Sequence, residues 1–319
     1  MGLAGLLALM LAQDAGRLGT ALATLGPAIA WICLFRAIPL AIHARGWHSL
    51  MPRDGRPGFG RVLAMRWIGE SINTLLPVGQ VGGDVARARL LTAAGLPPQV
   101  AGAGVAVDFL LGILSQAVFA MIGVAALLAA APGLGLDSRL IVGVAVLLVI
   151  AVLLVALQRK GFFAGLAGAT RRLMGAETAG RLAEGAAGLD REVAVLVADR
   201  RRMLTGFGWR LAGWLTHVGE AWLLLDALGT SAGLAAALAL ESLAWAVRSA
   251  AFLVPGAIGA QEGGIVAVGM LLGLPAETAL ALALAKRARE MLVCGPGLVA
   301  WLAAERHGIG SLLTARRPR

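Results

Sequence analysis

Ionised side chains stand inside the apolar stretches of this chain, and their spacing is the first clue to what it does. Arg66, Glu70 and Asn73 recur at helical spacing and so share one face. Asp84, Arg87 and Arg89 follow a glycine-bearing turn, and Asp108 lies about 15 Å into the next apolar stretch. A second set carries Glu241, Arg248 and Glu262, then the run Lys286, Arg287, Arg289 and Glu290. A charge at the centre of a bilayer costs from about 2.5 kcal/mol upwards. Charges packed as densely as that run must therefore face partners or a polar cavity. Two readings follow: a structural ion-pair cluster, or a binding and coupling site. Arg66, Arg87 and Arg89 also suit interfacial anchors.

Other chemistries find less support. The histidines His43, His48, His217 and His307 are scattered, and only His217 and Glu220 share a helix face. Cys33 and Cys294 stand alone in apolar segments and read as small hydrophobes. No phosphate-binding loop of Walker type and no metal-ligand spacing is visible. The expectation is no catalytic residue, no metal and no cofactor.

The elements that must position these charges follow from composition. Of 319 residues, 59% are hydrophobic and only 14% charged, and the mean hydropathy is +0.82. That leaves too little polar surface for a soluble body of this size, so lipid must be part of the solvent. The formal net charge of +10 then reads as basic cytoplasmic loops rather than a nucleic-acid surface.

Along the chain, Met1 to Ala12 would make about 18 Å of helix, short of a span. It is a partial first helix, or the true start lies upstream; it has no signal-peptide pattern. Spans are expected at 19–42, 98–131, 139–157, 204–225, 232–254 and 276–303, with shorter segments at 62–76, 84–94 and 262–272. Residues 43–61 read as a polar, basic loop. Segment 158–202 alternates Arg with Glu and Asp, with leucines such as Leu189 and Leu196 near seven-residue spacing. It reads either as amphipathic helices on the membrane surface or as a solvated helical linker. Trp47, Trp209 and Trp301 read as interface belts, and Gly102, Gly104 and Gly112 as helix-packing positions.

Arginines concentrate in 43–61, 158–202 and the tail Arg316 to Arg319, whereas 132–138 and 226–231 hold no Lys or Arg. The first set is placed in the cytoplasm and the second outside. That topology requires 62–94 and 232–272 to turn back without crossing.

A self-similarity at an offset of 178 residues supports this. Pro77 falls on Pro255, Asp84 on Glu262, and Gly95-Leu96-Pro97 on Gly273-Leu274-Pro275. Proline stops one half-helix, glycines turn the chain, and an acid starts the next half-helix. Gly-Leu-Pro then ends it and opens a long span. On this topology the copies are inverted. Inverted repeats with broken helices are a recurring plan of transporters. The offset also sets Asp108 against Lys286, an acid–base pair across the pseudo-symmetry axis. The expected fold is all-α: a polytopic transmembrane bundle with two inverted re-entrant hairpins, one domain over 1–319, with repeats at about 62–131 and 232–303.

Residues Arg66 to Pro77 (RWIGESINTLLP) with Gly82 to Arg87 (GGDVAR) resemble the transmembrane, flippase-like domain of lysylphosphatidylglycerol synthases. So do Val254 to Gly264 (VPGAIGAQEGG) with Leu284 to Glu290 (LAKRARE). The second block is most similar to a subgroup associated with hopanoid biosynthesis. The resemblance spans most of 20–303. It implies a multi-pass protein of the bacterial inner membrane, C-terminus cytoplasmic, that translocates a lipid. The soluble synthase domain that follows in that family is not in this sequence. That removes aminoacyl-lipid synthesis from what the resemblance implies and leaves the lipid open, a hopanoid being the subgroup's suggestion. The expected path is lined by Glu70, Asn73, Pro77, Gly82, Gly83, Asp84 and Arg87. The second copy contributes Arg248, Pro255, Gly259, Gln261, Glu262, Lys286, Arg287, Arg289 and Glu290. Partners would be membrane lipids, with lipid-biosynthesis proteins and further copies of the chain left open, and no nucleic acid. Alternatives are a membrane-embedded headgroup transferase, a scaffold for lipid-synthesis enzymes, and a small-solute transporter.

Overall fold

A computed structural model describes residue 26 and residues 28–76, 81–130, 176–251 and 259–306. The expected turn prolines Pro77 and Pro255, the span at 139–157, His307 and the basic tail lie outside the described residues. The described residues are helical, with no strand among them. In chain order the helices are α1 (Ala28–Phe35), α2 (Ala37–Leu50), α3 (Phe59–Leu75), α4 (Gly82–Ala93) and α5 (Pro98–Ala130). They continue with α6 (Ala176–Ala198), α7 (Arg200–Ala227), α8 (Leu234–Ala250), α9 (Ala260–Leu271) and α10 (Ala276–Arg306).

Helices α7 and α10 bury charged side chains and turn large apolar ones outward, against the pattern of a soluble bundle, beside an apolar core built from several helices. On α7 the exposed side chains include Leu204, Leu215 and Trp222, while Arg210, His217 and Glu220 are buried. On α10 Leu280, Leu292, Val299 and Leu302 face out, and Lys286, Arg287, Arg289 and Glu290 face in. Hydrophobic burial cannot drive this arrangement in water, whereas lipid outside makes it favourable. Two segments, Ala28–Leu50 and Pro98–Ala130, are long and apolar enough to cross a bilayer, with mean hydropathy of 1.4 and 2.2. Helices α7 and α10 are about 42 and 46 Å long. They have the length to span, and their inward charges lower their hydropathy.

Helix α2 continues to Leu50, where a loop was expected from residue 43. Its last turns persist because α3 and α7 pack over them and bury His43, Trp47, His48 and Leu50. Polar residues that read as loop are thus internal. Trp47 is fully buried and Trp301 nearly so, so neither belongs to an interface belt; Trp209 remains 38% exposed. Helix α6 packs along α5, with Val193 and Leu196 joining Leu50, Val107 and Leu111 in one apolar cluster. The described part of the amphipathic segment is therefore docked on the bundle.

The internal repeat reappears in the backbone. Helices α4 and α9 coincide at the 178-residue offset, Gly82 with Ala260 and Ala93 with Leu271, and α5 and α10 start at equivalent residues. Their ends share one hydrogen-bond pattern. Leu96 N donates to Leu91 O (3.2 Å) and Leu274 N to Gly269 O (2.9 Å). Gly95 N donates to Thr92 O and Gly273 N to Met270 O, both at 3.0 Å. Gly95 (φ +104) and Gly273 (φ +79) occupy the left-handed conformation that this helix ending needs. Cross-packing is reciprocal as well: α5 of the first copy lies on α8 of the second, and α10 of the second lies on α3 of the first.

Close approach between α3 and α4 rests on two glycines. A Cβ on Gly83 would collide with the Gly69 carbonyl, while one on Gly104, expected to pack, would meet open space. Gly83→Ala should lower stability by about 1–3 kcal/mol. Gly104→Ala should stay within about 0.5 kcal/mol. Thermal unfolding in detergent measures both, and equal effects would refute this close packing.

Candidate functional site

Asp108, with no exposed surface, is the centre of the first charge cluster. Its Oδ2 accepts from Arg66 Nη1 at 2.8 Å and from Arg87 Nη1 at 2.7 Å. Arg210 Nε lies 3.3 Å from Oδ1, and Arg210 Nη2 donates to the Asp108 carbonyl at 3.1 Å. Arg87 also pairs with Asp84 on its own helix and lies 4.7 Å above the Trp47 ring. Three guanidinium groups, from α3, α4 and α7, thus share two carboxylates. Glycines make room for the bulk: Gly69 against Arg87, Gly112 against Arg210, and Gly213 against the His43 ring.

The second cluster joins α8, α9 and α10. Arg248 Nη1 donates to Glu290 Oε1 at 2.9 Å and also to Gln261 Oε1. Gln261 Nε2 donates to Glu290 Oε1 at 3.3 Å, and Arg287 Nη1 to Glu290 Oε2 at 3.4 Å. Arg287 lies 3.9 Å from Glu262, whose other oxygen accepts from Gly259 N at 2.8 Å. Asn73 performs the matching task in the first copy, accepting from Gly83 N at 2.7 Å and satisfying an orphan donor at the start of α4.

Between the clusters, Arg36 pairs with Glu70 and donates to His217 Nδ1 at 2.7 Å. A guanidinium cannot accept, so that His217 nitrogen is unprotonated. Arg289 pairs with Glu220. Lys286 pairs with Glu241 rather than with Asp108, because Asp108 is already enclosed by Arg66 and Arg87 of its own copy and Arg210 of α7. The expected pair across the axis is thereby corrected. His217 and Glu220 also separate, each held by a different arginine.

These groups surround a cavity of about 180 Å³. Of the expected path residues, Glu70, Asn73, Asp84, Arg87, Arg248, Arg289 and Glu290 line it. Gln261 sits one contact behind through Arg248, and Gly83 is pressed against α3. Gly82, Gly259, Glu262, Lys286 and Arg287 do not line it, and Pro77 and Pro255 lie outside the described residues. The walls carry six arginines (Arg36, Arg66, Arg87, Arg210, Arg248 and Arg289) against Glu70, Asp84 and Glu290. Even with the underlying Asp108 and Glu220, positive charge is in excess. Trp214, Trp245 and Phe109 close the apolar side.

Several wall residues were missed in the sequence. Arg36 hides inside the first span, and Arg210, His43, Trp214 and Gln116 carried no motif. Trp67 and Trp245, however, fall on each other at the 178-residue offset, as do Ser71 and Ser249. That match was available. It has a structural meaning: Trp67 Nε1 donates to Val293 O on α10 at 2.8 Å, and the Trp245 carbonyl accepts from Gln116 Nε2 on α5 at 3.0 Å. Each copy's tryptophan fastens the other copy's long helix. Pro296 removes the helical donor to Leu292 O, one residue before Val293.

Asp108→Asn leaves three guanidinium groups facing one another and should cost about 3–5 kcal/mol. Adding Arg66→Met to that variant should recover part of the loss, because one uncompensated cation is gone. Unfolding of the single and double variants measures the coupling; strictly additive losses would show that Asp108 does not hold the cluster.

A comparison with curated proteins and one with solved structures gave no match. Against protein families, the description "Lysylphosphatidylglycerol synthase TM region" matches residues 1–295, which includes every helix that builds the cavity except the last turns of α10. Inward charge, outward apolar side chains and this match agree, and the chain belongs to the membrane-protein family of the lysylphosphatidylglycerol synthase TM region.

Proposed function

We propose that this protein translocates a polar lipid across the bacterial inner membrane, with the arginine-lined cavity as the headgroup's resting place. The observation that carries this reading is a cavity of about 180 Å³ with six arginines in its wall, inside helices whose outer faces are apolar. Excess buried cations are costly in a low-dielectric interior. An anionic or strongly hydrogen-bonding headgroup would relieve that cost during passage, while its tails stay in lipid.

The repeat supplies a mechanism. The helix pairs α3–α4 and α8–α9 would be re-entrant hairpins of opposite orientation, meeting near the midplane and reaching it from opposite faces. Reciprocal packing of the two copies supports such a pseudo-twofold arrangement. Rocking of one copy against the other would open the cavity to each leaflet in turn. The likeness to the hopanoid-associated subgroup nominates a hopanoid as cargo, with a glycerophospholipid as the other polar lipid to try. The basic loops support a cytoplasmic C-terminus.

The test is lipid exchange between leaflets in liposomes containing the purified chain, with labelled phosphatidylglycerol and a labelled hopanoid in parallel. Glu70→Gln and Arg248→Gln change cavity walls contributed by opposite copies. Each should slow exchange at least about tenfold, about 1.4 kcal/mol in barrier, in protein that still melts cooperatively. Exchange at the wild-type rate in both variants would overturn the assignment of the cavity, and no exchange of either lipid by the wild type would overturn translocation.

A further inference from the structure

A second cavity, of about 570 Å³, lies between the α2–α3 loop and the first turns of α7. Five arginines line it: Arg45 from α2, Arg53 and Arg56 from the loop, and Arg201 and Arg202 from α7. Asp199 is the single carboxylate in that lining, and it is engaged. It accepts from Arg202 N at 3.0 Å as the N-cap of α7 and lies 3.0 Å from Arg202 Nε. Arg45, Arg53, Arg56 and Arg201 therefore face the cavity with no carboxylate partner among the described residues. The loop that brings two of them is held in shape. His48 Nε2 donates to Pro57 O at 3.2 Å, Gly55 turns the chain at φ +71, and Arg45 lies 6.0 Å from the Phe59 ring centre.

Position adds to charge. Trp209, half-exposed, lines the same cavity, and an indole favours the depth of lipid headgroups. Helices α2 and α7 run on from here into the central site: His43 and Arg210 line that one, about 12 Å along α7 from Arg202. Guanidinium forks match phosphate oxygens in pairs of hydrogen bonds. The concavity holds one headgroup rather than a polymer.

We propose that this pocket binds a phosphate group, either on an anionic lipid headgroup or on a soluble phosphate compound, at the end of the bundle next to the central cavity. The binding stands apart from translocation and is measured without it.

The experiment uses the purified full chain in neutral detergent. Native mass spectrometry measures retention of phosphatidylglycerol against phosphatidylcholine, and thermal unfolding measures stabilisation by inorganic phosphate. Arg53→Gln, Arg56→Gln and Arg201→Gln are combined, since all three side chains are exposed; Arg56→Gln alone serves if the triple variant does not fold. Arg89→Gln, an exposed arginine paired with Glu305, is the control for general charge. The wild type should prefer phosphatidylglycerol at least about tenfold, with the preference falling at high salt. The triple variant should lose it and the control should keep it. A lipid preference lost in the triple variant identifies a headgroup site. Phosphate stabilisation lost there, without lipid preference, identifies a site for soluble phosphate. Neither effect in the wild type, no loss in the triple variant of any effect the wild type shows, or equal loss in Arg89→Gln overturns the proposal.

Discussion

The cost of an ion away from water organises this molecule. Asp108 is inaccessible to solvent and meets guanidinium groups from three helices, so α3, α4 and α7 are tied around α5 by one carboxylate. Removing that carboxylate leaves buried guanidinium groups without compensation, which costs more than the intact cluster contributes. The same constraint explains the outer surface. Once arginine, lysine and glutamate turn inward on α7 and α10, side chains such as Leu204, Leu215, Trp222, Leu280, Leu292 and Val299 turn outward, and only a lipid surround makes that favourable. Glycines follow from it too, because Gly69, Gly112 and Gly213 stand where a large polar side chain needs the space.

Local rules made much of the fold legible. Gly95-Leu96-Pro97 and Gly273-Leu274-Pro275 fold alike because the hydrogen bonds that close a helix end span only a few residues. The starts of α4 and α9 were readable for the same reason, each carrying an acid in its first turn. The end of α2 was not. His43 and His48 look like loop residues until α3 and α7 cover them, and that burial depends on partners far along the chain.

The site divides along the same line. Residue types and depth showed that Glu70, Arg87, Arg248 and Glu290 need company, but not whose. Glu70 is held by Arg36, which lies inside the first span and which no spacing singled out. Asp108 and Lys286 occupy equivalent positions with opposite charge, yet each is neutralised by nearer groups. Equivalence in a repeat fixes depth and direction; it does not fix contact. Contact is decided by which helix crosses at that depth, and α7, which belongs to neither copy, supplies Arg210, His217 and Glu220.

Reciprocal packing then explains why buried ion pairs collect at the centre. Because α5 lies on α8 and α10 lies on α3, the faces that each copy turns toward the other are the faces that carry its ions. Glu70 and Arg248 sit at equivalent positions of the repeat and line one cavity from opposite copies without pairing with each other. A direct bond between them would have locked the copies together. Instead each is satisfied by a neighbour, Glu70 by Arg36 on the α1–α2 helix and Arg248 by Glu290 on its own side, so much of the pairing energy lies within structural units. The links that cross directly among the described residues, Trp67 to Val293 and Gln116 to Trp245 and Ser249, are neutral hydrogen bonds worth about 1 kcal/mol each. For the translocation proposed above, the direct bonds between the copies are the weak ones, while α7 is ion-paired to both, through Arg210 to Asp108 and through Glu220 to Arg289.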